Sequence, residues 1–440
     1  MDRSPLLSLA FVTLLAVSLT ASAADWPQYR GPHRDDISKE TDLLPSWPES
    51  GPPLAWKYDN LGLGYSGPAV VGDRLYTLGD RGDDEFLVAL DLPPAGADNN
   101  RSPREAWAVR VGDKFDWQGN SWSAGPSSTP TVDDGLLFAL GGLGDLVCVE
   151  AKSGRERWRK HLPTEFAAEV NPIGGGPKKL GWGFTWSPLV DGDRLICLPG
   201  GPEGTAAALD KRTGKLLWRT KDLTDQAAYT SPIAADIHGV RQYVVLTNQG
   251  LAGVATDGKL LWTSRRPQRG YGTEVVNSPI VRDDLVYTTV GAGAGCELIR
   301  VIKSGDDWRA EQVYENKNMA NHHGNVVLLG DHVYGASQGK GWICQDFKNG
   351  EIIWAERAKF RAGAMTYADG RFYLYSEDDA SAAIIEASAA GWNLQGKMSP
   401  PQESANRKPK GKVWTPPIVS GGRLFLRDQE LLFCYDVRKK

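Results

Sequence analysis

The chain has 440 residues, enough for one large β domain or for two or three average ones. Its glycine count (50) and tryptophan count (16) suit many tight turns with an aromatic per unit and argue against a helical fold. A net charge of −4 and a pI near 6.0 exclude a nucleic-acid binder or a protein held on anionic membranes by charge.

Residues 1–23 read as a secretory signal: Arg3 near the start, an apolar run from Leu6 to Leu19, and small residues Ala21-Ser22-Ala23 for cleavage. No cysteine follows the cleavage site, so no lipid anchor is expected there. No other stretch is long and apolar enough to span a membrane. The mature protein is expected to be exported, periplasmic or secreted, soluble and monomeric. Residues 24–50 read as an extended segment, and residues 51–440 as one β domain.

Within 51–440 two signatures alternate. The first is a strand, a turn bearing Asp or Gly, and a second strand, usually introduced by Pro. It runs Ser66 to Tyr76, Ser128 to Phe138, Ser187 to Ile196, Ser231 to Leu246 with a longer turn, and Ser278 to Tyr287. It returns as Gly324 to Tyr334, Gly363 to Tyr373 and Pro416 to Phe425. The second signature is a hairpin that ends in tryptophan, clearest at Ala208 to Trp218. There Asp210 can bend its carboxylate onto the turn amides, and Gly214 supplies a backbone angle that a side chain resists. Trp218 must be buried, and one hairpin cannot bury it.

Copies of this hairpin end in Trp107, Trp158, Trp218, Trp262, Trp308 and Trp354, with a degenerate one near Trp392; successive tryptophans stand 38 to 60 residues apart. That spacing fits one four-stranded unit each. The C-terminal run Leu431 to Asp436 is a third strand that stops before any tryptophan, whereas Leu54 to Tyr58, with Trp56, is a fourth strand with no partner before it. Joining them completes a unit and closes a ring. The expected fold is all-β, an eight-bladed β-propeller of four-stranded antiparallel blades, closed by the N-terminal strand. Seven blades is the alternative if the unit near Trp392 is only a loop. The docking tryptophans are then Trp56, Trp107, Trp158, Trp218, Trp262, Trp308 and Trp354.

The five cysteines give no complete disulfide framework. Cys148, Cys344 and Cys434 stand at the repeat position of Ala208 and read as small apolar groups in strands.

The hairpin Ala208 to Trp218 resembles the tryptophan-docking motif of pyrroloquinoline quinone (PQQ)-type repeats, and the likeness extends over residues 51–440 by the blade count. That family includes quinoprotein alcohol dehydrogenases and the non-enzymatic outer-membrane assembly factor BamB. The motif is specific for the fold and poor for function, because it joins blades in enzyme and scaffold alike. Asp25 to Pro32 looks like the leading segment of exported members and reads as a strap over the propeller.

Chemistry in such a ring sits at a channel mouth. The residues just before each innermost strand are Tyr65, Trp122 and Ser123, Thr185 and Trp186, Tyr229 and Thr230, Asn277, His322 and His323, and Trp414. This set suits stacking on a planar ligand or sugar ring, or holding a peptide. Ligand-binding candidates are Tyr65, Trp122, Trp186, Tyr229, Asn277, His323 and Trp414. His322 and His323 would point to opposite faces of a strand, and no further ligands are evident, so no metal site is expected. Gly174 to Gly176 and Gly291 to Gly295 read as loops, and Arg407 to Lys412 as a solvated linker.

The expected function is an exported, non-catalytic binding scaffold for a protein, a peptide, or a small planar or sugar ligand. The resemblance implies an alternative, a PQQ-dependent oxidoreductase with Ca²⁺ acting on an alcohol or sugar; Glu274 and Asn277 could offer oxygen ligands, but no full set emerges and the vicinal disulfide of such enzymes has no counterpart. A carbohydrate-binding or polysaccharide-processing propeller is a further alternative. No catalytic residue is assigned.

Overall fold

A computed structural model describes residues 24–96, 101–117, 120–122, 125–173, 180–266 and 272–439. The proposed signal, Gly174 to Gly176 and Ser123 lie outside these residues.

Eight four-stranded sheets follow one another along the chain. Blade 1 runs from Ala69–Val71 to Arg104–Asp113, blade 2 from Thr131–Asp133 to Glu156–His161, and blade 3 from Leu189–Asp191 to Leu216–Arg219. Blade 4 spans Ile233–Ile237 to Leu260–Arg265, blade 5 Ile280–Arg282 to Asp307–Asn316, and blade 6 Val327–Leu329 to Ile352–Glu356. Blade 7, Gly363–Ala368 to Leu394–Met398, is a full four-stranded sheet, so the unit near Trp392 is a blade and the ring has eight. Blade 8 takes three strands from the C-terminus and its outermost, Leu54–Tyr58, from the N-terminus. Trp56 stands opposite Cys434 in that antiparallel pair.

The register gives each blade one row of facing side chains. Moving outward, the row is Ala69–Tyr76–Ala89–Trp107 in blade 1. It is Thr131–Phe138–Cys148–Trp158 in blade 2 and Val327–Tyr334–Cys344–Trp354 in blade 6. A small residue on the third strand lets the outer indole reach across to the aromatic on the second. Ring centroids stand 5.9 Å apart for Tyr76–Trp107, 6.1 Å for Phe138–Trp158 and for Tyr334–Trp354, and 6.0 Å for Phe425–Trp56. This is why Cys148, Cys344 and Cys434 stand where Ala208 does: each is the small residue beside the tryptophan, and all are buried and unpaired.

The indole also joins a blade to the next. Trp158 donates to Lys211 O at 3.0 Å, Trp218 to Thr256 O at 2.8 Å and Trp354 to Ser388 O at 3.0 Å. The turn glycine of the following blade lies on the ring: a Cβ on Gly214 would stand 2.7 Å from Trp158, and one on Gly258 2.8 Å from Trp218. The turn at Gly214 forms as expected, with Asp210 accepting from the amides of Arg212 (3.1 Å) and Thr213 (2.8 Å).

One docking assignment is corrected. In blade 5 the row is Ile280–Tyr287–Leu298–Tyr314, and Trp308 instead faces Lys303 near the tip of a hairpin of two ten-residue strands. Tyr314 does the docking: its hydroxyl donates to Phe347 O at 3.1 Å, and a Cβ on Gly350 would lie 2.6 Å from its ring. In blade 7 the outer position is Gly396, opposite Ile384. The missing indole comes from elsewhere. Trp47 lays its side chain over Gly396, donates its backbone N–H to Gln395 O at 2.9 Å, and stands 6.1 Å from Tyr373.

Around the channel, the Ser-Pro pairs join successive blades. Thr129 N–H donates to Ser187 Oγ (2.9 Å), Ser187 N–H to Ser231 Oγ (2.9 Å) and Ser231 N–H to Ser278 Oγ (3.0 Å).

Residues 24–45 cross one end of the channel. Trp26 pairs with Val70 of blade 1, and Pro27 O accepts from Val132 of blade 2. The buried Arg34 guanidinium donates to the carbonyls of Ser187, Pro188 and Pro232, at the starts of blades 3 and 4. Arg30 donates to Val326 O of blade 6 at 2.7 Å and is paired with Asp36 at 2.5 Å. Ser38 reaches Tyr367 and Val419, and Glu40 accepts from the amides of Gly421 and Gly422. Among the described residues no helix is long and apolar enough to cross a membrane.

Candidate functional site

The innermost strand of each blade starts at one mouth, and the antiparallel second strand returns there. That mouth is therefore built from two sets of loops, those before the first strand and those after the second. Together they enclose a cavity of about 620 Å³.

Tyr65, Trp122, Tyr229, His323 and Trp414 line it, as do Thr185 and His322. Tyr65 lies 5.2 Å from Trp414, whose indole is stacked on His323 at 4.6 Å and 22°. His322 continues the series, 4.0 Å from His323. Residues 321–326 are irregular rather than a strand, which is how two adjacent imidazoles reach one cavity. Trp122 forms the lip and is 42% exposed.

Two candidates lie elsewhere. Trp186 is fully buried in the packing between blades 2 and 3, beside Phe184 and Leu195. Asn277 is buried behind the wall, with its amide donating to Asn321 O at 2.8 Å. Both stand one residue before a Ser-Pro step, where the chain has already turned into the wall.

Several lining residues were not singled out from sequence. Gln338 and Glu377 follow the second strands of blades 6 and 7 and belong to the returning loops. Trp182, 4.5 Å from Trp117, stands further upstream of blade 3 than the rule reached. Lys412, in the supposed linker, lines the cavity and pairs with Asp378, while Arg407 is held by the buried Asp428 at 2.7 Å. Tyr29 of the strap lines the cavity too, its hydroxyl bonded to Asn325 Oδ1 at 2.9 Å, so one end is closed by the chain itself.

Burial drives both imidazoles to the neutral form: it lowers the His323 pKa far below its usual value, with His322 adding to the effect, and lowers that of His322 against the opposing pull of Glu274. For Glu274, burial pulls upward. Hydrogen bonds from its own N–H, from Thr273 and from the Trp182 indole (3.3 Å) outweigh it, so the carboxyl sits below its usual range and is ionised. Burial, with the neighbouring Asp378, raises Glu377 against the pull of Lys412.

Among the described residues no three His, Cys, Asp or Glu side chains converge as a metal would require. The two lining carboxylates come from different parts of the ring, and Glu274 is already bonded to Trp182 and Thr273. The residues present therefore do not fit a Ca²⁺-held quinone.

A family profile described as outer membrane protein assembly factor BamB, of the PQQ-repeat type, matches residues 96–356, more than half of the chain. A BamB from Shewanella oneidensis is 25% identical over 268 residues, covering 58% of this chain and 61% of that protein. The chain thus matches less than two thirds of that relative. The crystal structure of BamB from Moraxella catarrhalis superposes with a TM-score of 0.56 at 15% identity, covering 84% of this chain and 95% of that one. Quinohemoprotein alcohol dehydrogenase from Comamonas testosteroni gives 0.62 at 11% identity, covering 96% and 82%. At such identities the superpositions speak for the fold alone. By the profile match, the chain belongs to the BamB-type PQQ-repeat β-propeller family.

Proposed function

We propose that this protein is an exported, non-catalytic binding scaffold whose working surface is the open channel mouth. The observation that carries the reading is a blind cavity walled largely by aromatic rings, with few charged groups at its surface. The imidazoles are stacked and neutral, Lys412 is paired with Asp378, and Glu274 is bonded to Trp182 and Thr273. Rings with a few polar tips are what a recognition pocket needs. The relatives named as outer-membrane assembly factors support a scaffold role in the cell envelope.

The rival quinone-dependent oxidoreductase is tested with purified protein, PQQ, Ca²⁺ and a dye acceptor. The scaffold reading expects no saturable quinone binding and no dye reduction with alcohols or sugars. Saturable binding with turnover would overturn it.

A further inference from the structure

We infer that the mouth cavity binds the terminal residues of a neutral glycan. The inference rests on the reading of that mouth as the binding surface and adds the chemistry of what enters it.

Charge narrows the class first. The lining holds an ionised Glu274 and a second carboxyl, Glu377, and among the described residues that line it Lys412 supplies the cation, already paired with Asp378. An anionic ligand would lose its hydration and meet like charge, which is costly in a half-enclosed site. This disfavours a polycarboxylate quinone, an acidic glycan or a peptide C-terminus.

The walls narrow it further. A pyranose ring has an apolar C–H face and an equatorial belt of hydroxyls, so it needs a flat aromatic beside hydrogen-bonding side chains. The cavity offers both. Trp122, 42% exposed at the lip with Lys410 Nζ 5.4 Å from its ring, offers its remaining face, Trp414 is stacked on His323 in the wall, and Glu274, Gln338 and Asn325 line the same cavity. Asn325 Oδ1 takes the Tyr29 hydroxyl, which leaves its amide N–H groups as donors, and Glu274 accepts.

Geometry fixes which part of a glycan fits. Tyr29 closes the inner end, so a chain cannot run through and must enter end first. At about 620 Å³ the cavity has room for more than one ring, within the usual range for small-ligand sites.

The test uses the mature protein and a panel of neutral gluco-, galacto-, manno- and xylo-oligosaccharides, read by calorimetry and by tryptophan fluorescence. Glucuronate oligomers, choline and short peptides form the comparison arms. At least one neutral series should bind saturably, and Trp122→Ala should weaken it about tenfold, the loss of one stacking face. Trp122 is exposed, so that variant keeps the fold; Leu217→Ala, on the outer rim, should leave binding unchanged. The inference is overturned if no neutral oligosaccharide binds, if glucuronate oligomers or choline bind as well or better, or if Trp122→Ala has no effect. Peptide binding at the mouth without glycan binding would overturn the glycan while leaving the scaffold reading intact.

Discussion

Trp47 sits on Gly396 as an outer-strand tryptophan sits in its own blade: a Cβ added to Gly396 would lie 2.5 Å from the Cβ of Trp47. The indole is 6.1 Å from Tyr373, the same separation as Trp158 from Phe138 and Trp354 from Tyr334. A residue of the N-terminal segment thus completes blade 7, some 350 positions away in sequence. Removing the indole as Trp47→Ala should cost about 3–5 kcal/mol, and forcing the contact as Gly396→Val about 1–3 kcal/mol. The two costs should add approximately in urea denaturation, because alanine at 47 keeps the Cβ, N and Cα that the new side chain at 396 would meet.

Blade 5 offers a direct comparison of two aromatics. Tyr314 carries the interblade hydrogen bond and Gly350 rests on it, whereas Trp308 packs against His238 and Lys303 near the hairpin tip. Tyr314→Ala should cost about 2–3 kcal/mol and Trp308→Ala about 1 kcal/mol or less, by thermal or urea unfolding. The reverse order would restore tryptophan as the docking residue there.

The strap depends on Arg34. Its guanidinium is buried, donates to three backbone carbonyls and accepts nothing in return. Arg34→Met should cost about 2–4 kcal/mol, because buried carbonyls lose their donor. Hydrogen exchange should rise over Trp26 to Ser38 before it rises in the blades. Uniform exchange across the chain would show that the strap is not a separate unit.

A buried acid pair sets a pH dependence. Burial raises Asp80 to about 8, with Glu85 adding to the rise, and burial raises Glu85 to about 7 against hydrogen bonds from Gly142 and Phe115. Lys114 and the buried Arg427 pull Asp80 down and Asp116 pushes it up, while Asp145 pushes Glu85 up. Folded-state values above the unfolded ones mean that the native state binds more protons. Stability contributed by the pair is thus present below about pH 4 and lost as pH rises through 7 to 8. Asp80→Asn should flatten the fall in melting temperature between pH 4 and 8. An unchanged slope would remove Asp80 as its source.

Much of the ring was legible because its determinants are local. A turn glycine, a small residue and a tryptophan at fixed offsets recur in each hairpin, and an orphan strand at each end can only be resolved by closure, seen in Trp56 facing Cys434. What escaped was non-local or depended on register. Trp47 and Tyr29 act on blades hundreds of residues distant, and nothing in their own segment names the partner. Tyr314 was hidden because a bulge between Leu298 and Ile299 and two long strands carry Trp308 past the docking row. At the mouth, the rule of residues before each inner strand found Tyr65, Trp122, Tyr229, His323 and Trp414, but placed Trp186 and Asn277 a step too far out. The returning loops with Gln338 and Glu377 follow from antiparallel pairing and were reachable by the same logic.

The central claim is that the open mouth is where this propeller meets its ligand, and photo-crosslinking in the producing cell tests it most directly. A photoreactive side chain at position 338 and another at position 217, both exposed but on the mouth and the outer rim, would be compared in otherwise native protein. The account predicts a discrete adduct from 338 and none from 217. An adduct from 217 with none from 338 would contradict it.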